Sequence, residues 1–384
     1  MTLNQQLRWF DMMDNNVLSS GSVHSLSLTT TMPLWSSQQA CEKIINSCPN
    51  LLNLKLLNVD LENIETWPTK AINLRLERCA FDLNKIRFLI HLEILHLVDC
   101  FVDKNLLIDI ITGLPKLVNL TLNHLMNIGT PFFLVNLPYL THLSLSNTNL
   151  VVSQLEPIKN LKLTHLEIVN LPISMDDSDY LSDILETLFY LQYLDIRNTK
   201  GGIVALLDLE MPLLTTLKLG VDYESIRRSI AKALLKNLPV LEHVEFNNNT
   251  PVSDSLLESF AAKSLQTLLL SSQPESPQLR TVSPQSLLKI STSMGPHLKV
   301  FRCHNYLLTS DVLTAFSNHC KNLQMLDLKN CSCPSDPLLT IESVKAILQL
   351  PQLVFIDIRG QISKAMGKSI KSLKNTYYKV VIIY

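Results

Sequence analysis

Glycine is scarce, at 9 residues in a chain of 384. A phosphate-cradling loop needs several glycines close together, and neither GxGxxG nor GxxxxGK[ST] occurs. GxSxG and HExxH are absent as well, so no nucleophile elbow or zincin helix is present. There is no excess of charge of one sign: 33 Lys and Arg stand against 34 Asp and Glu. A protein that tracks phosphates normally carries a basic excess, so general nucleic-acid binding is not expected. No apolar run approaches the length that spans a membrane, and the opening MTLNQQLRWFDMMDNNVL lacks the basic-then-apolar order of a signal peptide. Eight cysteines are spread along the chain, and the one tight pair, Cys331 and Cys333, is too few ligands for zinc. Such spacing in a chain this long implies reduced thiols in an intracellular protein of the cytoplasm or nucleus. No cofactor or metal is implied.

What is present is one pattern, LxxLxLxx(N/C/T), used again and again. LEILHLVDC at 92, LVNLTLNHL at 117, LTHLSLSNT at 140, LTHLEIVNL at 163 and LQYLDIRNT at 191 are clear copies. LTTLKLGVD at 214, LEHVEFNNN at 241, LQTLLLSSQ at 265, LKVFRCHNY at 298, LQMLDLKNC at 323 and LVFIDIRGQ at 353 continue the series. With weaker copies at 23, 51 and 71 and a last strand in YKVVIIY, the units number about fifteen, mostly about 20 to 30 residues apart. Each unit alternates apolar and polar with period two, which is a strand. Between units the spacing becomes helical, as over 177–191 with Leu181, Ile184, Leu185 and Leu188, and over 223–238. No unit can bury its apolar face alone, so stacking of neighbours must make the core.

Pattern and period resemble the leucine-rich repeats. The segments 308–331 and 36–59 resemble the cysteine-containing type found in F-box leucine-rich and ribonuclease-inhibitor-like proteins, with Cys320 and Cys48 closing the helix. No recognisable F-box pattern appears in the residues before the first repeat. The resemblance implies an α/β solenoid, or horseshoe, with a parallel concave sheet of about fifteen strands and helices on the convex side. A helical cap is expected over 1–22, the solenoid over 23–384, and a Pro/Ser-rich insertion near 271–286. A second insertion is expected at 332–340. The ninth-position Asn, Cys or Thr would bond the turn backbone, while Asn147 and Asn198, one place earlier, would be more exposed.

In this fold the third, fifth and seventh positions of each strand form the accessible face. They hold His142, Ser144 and Ser146; His165 and Glu167; Tyr193, Asp195 and Arg197; Thr216 and Lys218; His243, Glu245 and Asn247. Further on come Arg302, Lys329 and Arg359 beside Asp327 and Asp357, and near the start Lys55, Arg75 and Arg78. The candidate partner-binding set is His142, His165, Glu167, Tyr193, Asp195, Arg197, His243, Glu245, Arg302 and Lys329. Three readings compete: a solvated face, a protein-docking surface, and an acid–base or metal site at His142, His165 and Glu167. The expectation is a non-enzymatic scaffold that binds one or more proteins, as a monomer or a subunit of a hetero-complex. Its finer forms are substrate recognition for a ubiquitin ligase, or regulation of an enzyme or small GTPase.

Overall fold

Leucine at the first, fourth and sixth positions of a repeat can be covered only by the same positions of the next repeat. Parallel pairing in equivalent register does this. The computed structural model describes residues 23–29, 38–62, 64–65, 67–126, 128–172, 177–199, 201–220, 236–247, 254–261, 263–271, 282–304, 309–329, 331, 340–359, 364–377 and 379–384. The expected cap over 1–22, most of the helix over 223–238, the stretch 272–281, residues 332–339 and Cys333 lie outside the described residues. The chain divides into two compact units, 1–191 and 192–384.

In the first unit seven strands pair in chain order, all parallel: Ser25–Thr29, Asn53–Leu57, Asn73–Glu77, Ile94–Val98, Asn119–Asn123, His142–Ser144 and His165–Glu167. The register sets Leu54, Leu74, Leu95, Leu120, Leu143 and Leu166 side by side. None of the six is more than 2% exposed. Burial of each contributes about 2 kcal/mol. A two-stranded ladder, Asp60–Leu61 with Ala80–Phe81, lies beside them.

In the second unit eight strands do the same: Tyr193–Ile196, Thr216–Leu219, His243–Phe246, Thr267–Ser271, Val300–His304, Met325–Asp327, Phe355–Asp357 and Val381–Ile383. Seven and eight make fifteen parallel strands of the repeat. With the helices between them this is the α/β leucine-rich-repeat architecture that the sequence implies.

The connecting elements follow local rules. Lys104–Thr112 is capped by Asp103, which accepts from the amides of Asn105 and Leu106 at 2.9 Å each. Ser310–His319 is capped by Thr309, and Ile341–Leu348 by Thr340. The expected helix over 177–191 is shorter, Ser178–Glu186, because Leu188 and Leu191 already belong to the core that leads into the next strand. Pro284, read in the sequence as part of a loop, starts the helix Pro284–Ser293 with Ser283 as its cap. Proline suits that place because the first helical amide has no partner to lose.

The eighth position is a backbone requirement. Asn58, Arg78, Asp99, His124, Asn147, Asn170 and Asn198 all have φ between 51 and 57°. Asparagine and aspartate tolerate this left-handed turn better than other side chains, which explains Asn147 and Asn198. The ninth position is buried. Thr148 donates to the Leu145 carbonyl at 2.8 Å, and the Cys79 and Cys100 thiols donate to the carbonyls of Leu56 and Leu76, each at 3.5 Å. Burial pushes the Cys79 and Cys320 thiols up to about 12 and Cys41 to about 11, so these sulfurs stay protonated and inert.

Candidate functional site

Strands in this fold need not be equally long. Those at 53–57, 73–77, 94–98, 119–123, 267–271 and 300–304 run from the third position to the seventh. Those at 142–144, 165–167, 193–196, 325–327 and 355–357 stop sooner. In these five the seventh-position amide leaves the sheet ladder, whereas that of Asn247, after the strand at 243–246, still donates to the Leu219 carbonyl at 3.0 Å. A backbone N–H shielded from water needs another acceptor. In all five repeats that acceptor is a polar side chain of the accessible face.

In the first unit the acceptor comes from the repeat before. The Ser146 amide donates to Asn123 Oδ1 at 2.9 Å, and the Val169 amide donates to Ser146 Oγ at 3.2 Å. Ser144 Oγ sits 2.8 Å from both Asn123 Oδ1 and Glu167 Oε2, so the Glu167 carboxylate is tied into this chain of side-chain hydrogen bonds. His142 and His165, paired in register, stack with ring centroids 3.9 Å apart and planes 15° from parallel. The repeated LTHL places a threonine before each: Thr141 Oγ1 lies 2.8 Å from His142 Nδ1, and Thr164 Oγ1 lies 2.9 Å from His165 Nδ1. Burial lowers the pKa of both rings, and His142 lowers that of His165 further. Two imidazoles packed face to face in this way are a neutral pair. Glu167 points its carboxylate to Ser144. Among the described residues no three His, Cys, Asp or Glu side chains come together as a metal site.

In the second unit the acceptor is the strand's own fifth residue. The amides of Arg197, Lys329 and Arg359 donate to Asp195, Asp327 and Asp357 at 3.2, 3.4 and 3.1 Å. These aspartates are 2, 7 and 3% exposed. A buried carboxylate needs a cation, and the seventh position supplies one. Arg197 holds Asp195 through Nε at 2.9 Å and Nη2 at 2.7 Å, and Arg359 holds Asp357 through Nε at 3.1 Å and Nη2 at 2.6 Å. The carboxylate in turn raises the pKa of each arginine. Asp327 is bound instead by Arg302 Nε at 3.0 Å and lies 2.7 Å from His304 Nε2. Burial pushes the Asp327 carboxyl up, but His304 and Arg302 together hold it below its ordinary value.

Around Arg197 the pairing extends across strands. Arg197 Nη1 meets Glu245 Oε1 at 3.3 Å, and Lys218 Nζ meets Glu245 Oε2 at 3.4 Å. Lys218 also lies 5.3 Å from the centre of the Tyr193 ring. Burial works against the Lys218 charge, yet the Tyr193 hydroxyl and the nearby carboxylates raise its pKa overall. Arg197 and Glu245 belong to strands with the Thr216–Leu219 strand between them. Gly220 stands at the seventh position of that middle strand. A Cβ there would meet the end of the Asn247 side chain, so glycine leaves room for Asn247 to reach across and donate to Asn198 Oδ1. His243 remains at the edge of this group, 3.7 Å from Glu242.

The structure therefore sorts the candidate residues. His142, His165 and Glu167 lie in the first unit in a hydroxyl-rich network, where the two rings stack and Glu167 accepts from Ser144. Tyr193, Arg197, His243 and Glu245 share one polar patch in the second, with Lys218 as its missing member. Asp195 is too buried to touch a partner and acts through Arg197. Arg302 and Lys329 form another group, with His304 and Arg359. Sequence reasoning missed Thr141 and Thr164, although the duplicated LTHL carried them. It also missed Gly220, which stood out as one of 9 glycines and the one in a strand-face column.

No family model matches the chain, and no curated protein sequence matches it. Similar solved structures include an internalin (InlF) of Listeria monocytogenes, 18% identical, covering 86% of this chain and 86% of that one with a TM-score of 0.49. TLR13 in a complex with ssRNA13 is 19% identical, covers 94% of this chain and has a TM-score of 0.45; this chain spans 54% of its length.

Proposed function

We propose that the chain is a protein-docking scaffold with no catalytic step of its own, and that its partner lies on the accessible strand face. One observation carries this. The Tyr193, Lys218, Arg197 and Glu245 side chains are pinned to one another on paired strands while Lys218, Arg197 and Glu245 remain 21 to 30% exposed. Groups already held in place lose little conformational freedom on binding, and Tyr and Arg are the side chains that most often dominate an interface. The seven described cysteines are free and buried, which supports a reducing compartment, cytoplasm or nucleus.

The test is partner capture with wild type beside a Tyr193→Ala, Lys218→Glu double variant. Both side chains are half-buried on the strand face, whereas Asp195 is buried and a change there would confuse binding with stability; a thermal melt of the double variant beside wild type checks that the fold is kept. Retention of the main partner should fall by about tenfold or more. Equal retention would move the docking site elsewhere. A ubiquitin-ligase receptor, the finer reading supported by the cysteine-containing repeats, would also bring down an adaptor or cullin. A regulator would instead hold one stoichiometric enzyme or GTPase whose activity changes on binding.

A further inference from the structure

We infer that the strand face between residues 300 and 383 docks an acidic peptide segment of a partner protein, one that carries apolar side chains along its other edge. This rests on the docking role above and names the partner's chemistry. The strands Val300–His304, Met325–Asp327, Phe355–Asp357 and Val381–Ile383 pair in register, which aligns their side chains in columns. Val300, Met325, Phe355 and Val381 form an apolar column, half-buried except for Val381, which is 57% exposed. In the fifth-position column, Asp327 and Asp357 sit beneath the surface and are used up on Arg302, His304 and Arg359.

What reaches solvent is therefore cationic. The side chains of Arg302 and Arg359 are 31 and 46% exposed, and Lys329 is half-buried. Among the described residues, neither Nη of Arg302, nor Nη1 of Arg359, nor Nζ of Lys329 has a hydrogen-bond partner. The buried carboxylates fix the two guanidinium planes and leave their outer N–H groups free, a geometry suited to carboxylates. In the Met325 and Phe355 repeats the apolar third position and the cationic seventh are four residues apart, about 13 Å, while Arg302 stands two residues from Val300. A bound segment must therefore set acids on one edge and apolar groups on the other. A peptide can do this. A nucleic-acid backbone would leave the apolar column uncovered, and the chain's net charge of −1 offers no general attraction to it.

The test uses the full chain and a fluorescein-labelled peptide of alternating Glu and Leu, followed by anisotropy. Binding should weaken by about tenfold in Lys329→Glu, whose ammonium supports no other group, and comparably in Val381→Ser. It should weaken likewise when the peptide carries Gln for Glu or Ser for Leu. Equal binding to Lys329→Glu, or to the Gln peptide, would overturn the inference. So would a single-stranded RNA that binds more tightly than the peptide and loses affinity in Lys329→Glu. If the peptide fails while capture still depends on Tyr193 and Lys218, the docking role stands and this assignment falls. If the peptide binds while capture ignores Tyr193 and Lys218, the reverse holds.

Discussion

In the first unit the amide of Val169 is taken by Ser146, a side chain from the repeat before it; in the second the amide of Arg197 is taken by Asp195, a side chain of its own strand. The backbone problem is the same, a donor released when a strand ends early. The borrowed acceptor is neutral and ties two repeats together. The local acceptor is an ion, and it obliges the chain to place a cation close by. The electrostatic contrast between a hydroxyl-and-imidazole face and an arginine-bearing face follows from that choice.

The sharpest way to break the comparison is to remove each acceptor. Asp195→Ala leaves Arg197 and an amide without their partner, which should cost about 3 kcal/mol in denaturant unfolding. Ser146→Ala removes one neutral bond and should cost about 1 kcal/mol. Equal losses would mean that ionic and neutral acceptors are interchangeable here. Asp195→Asn, which keeps an acceptor oxygen but not the charge, should fall between them.

Acid should separate the units next. Burial, helped by the neighbouring charge of Arg75, lowers the His96 pKa to about 4, and His142 and His165 are lowered too. Each binds its proton more readily when unfolded, so first-unit stability is lost as pH falls from 6.5 toward 4, by up to about 3 kcal/mol for His96. Asp327 is held below its ordinary 3.8, and its stabilisation is present above that value and lost only below it. Amide exchange at pH 7 and pH 5 should therefore show protection falling before residue 192 and holding after it. Uniform loss would remove the distinction. The smallest effect is expected from Gly220→Ala, where the new methyl group displaces only the end of the Asn247 side chain and costs about 0.5 kcal/mol in denaturant unfolding.

The fold was legible because leucine spacing is set by burial, and burial repeats. Strand number, parallel order and the buried cysteines could all be read from it. The site was only half legible. LDIR, LDLK and IDIR look like three displays of surface charge, yet their aspartates are internal fittings whose depth depends on where the ladder stops. Nothing in the residue pattern marks that stopping point, because it is set by pairing across strands. The stacked imidazoles were visible as a repeated LTHL, but their role as a neutral pair needed the ring geometry.

Gly220 alters how this part of the chain can change. Where repeats touch only their neighbours, one can be deleted, duplicated or replaced with little heed to the rest. At Gly220 the absent side chain leaves room for Asn247 to reach Asn198 over the top of a whole repeat, and Arg197 meets Glu245 across the same strand. Three consecutive repeats are thereby coupled, so that Arg197, Asn198, Glu245 and Asn247 are best inherited together.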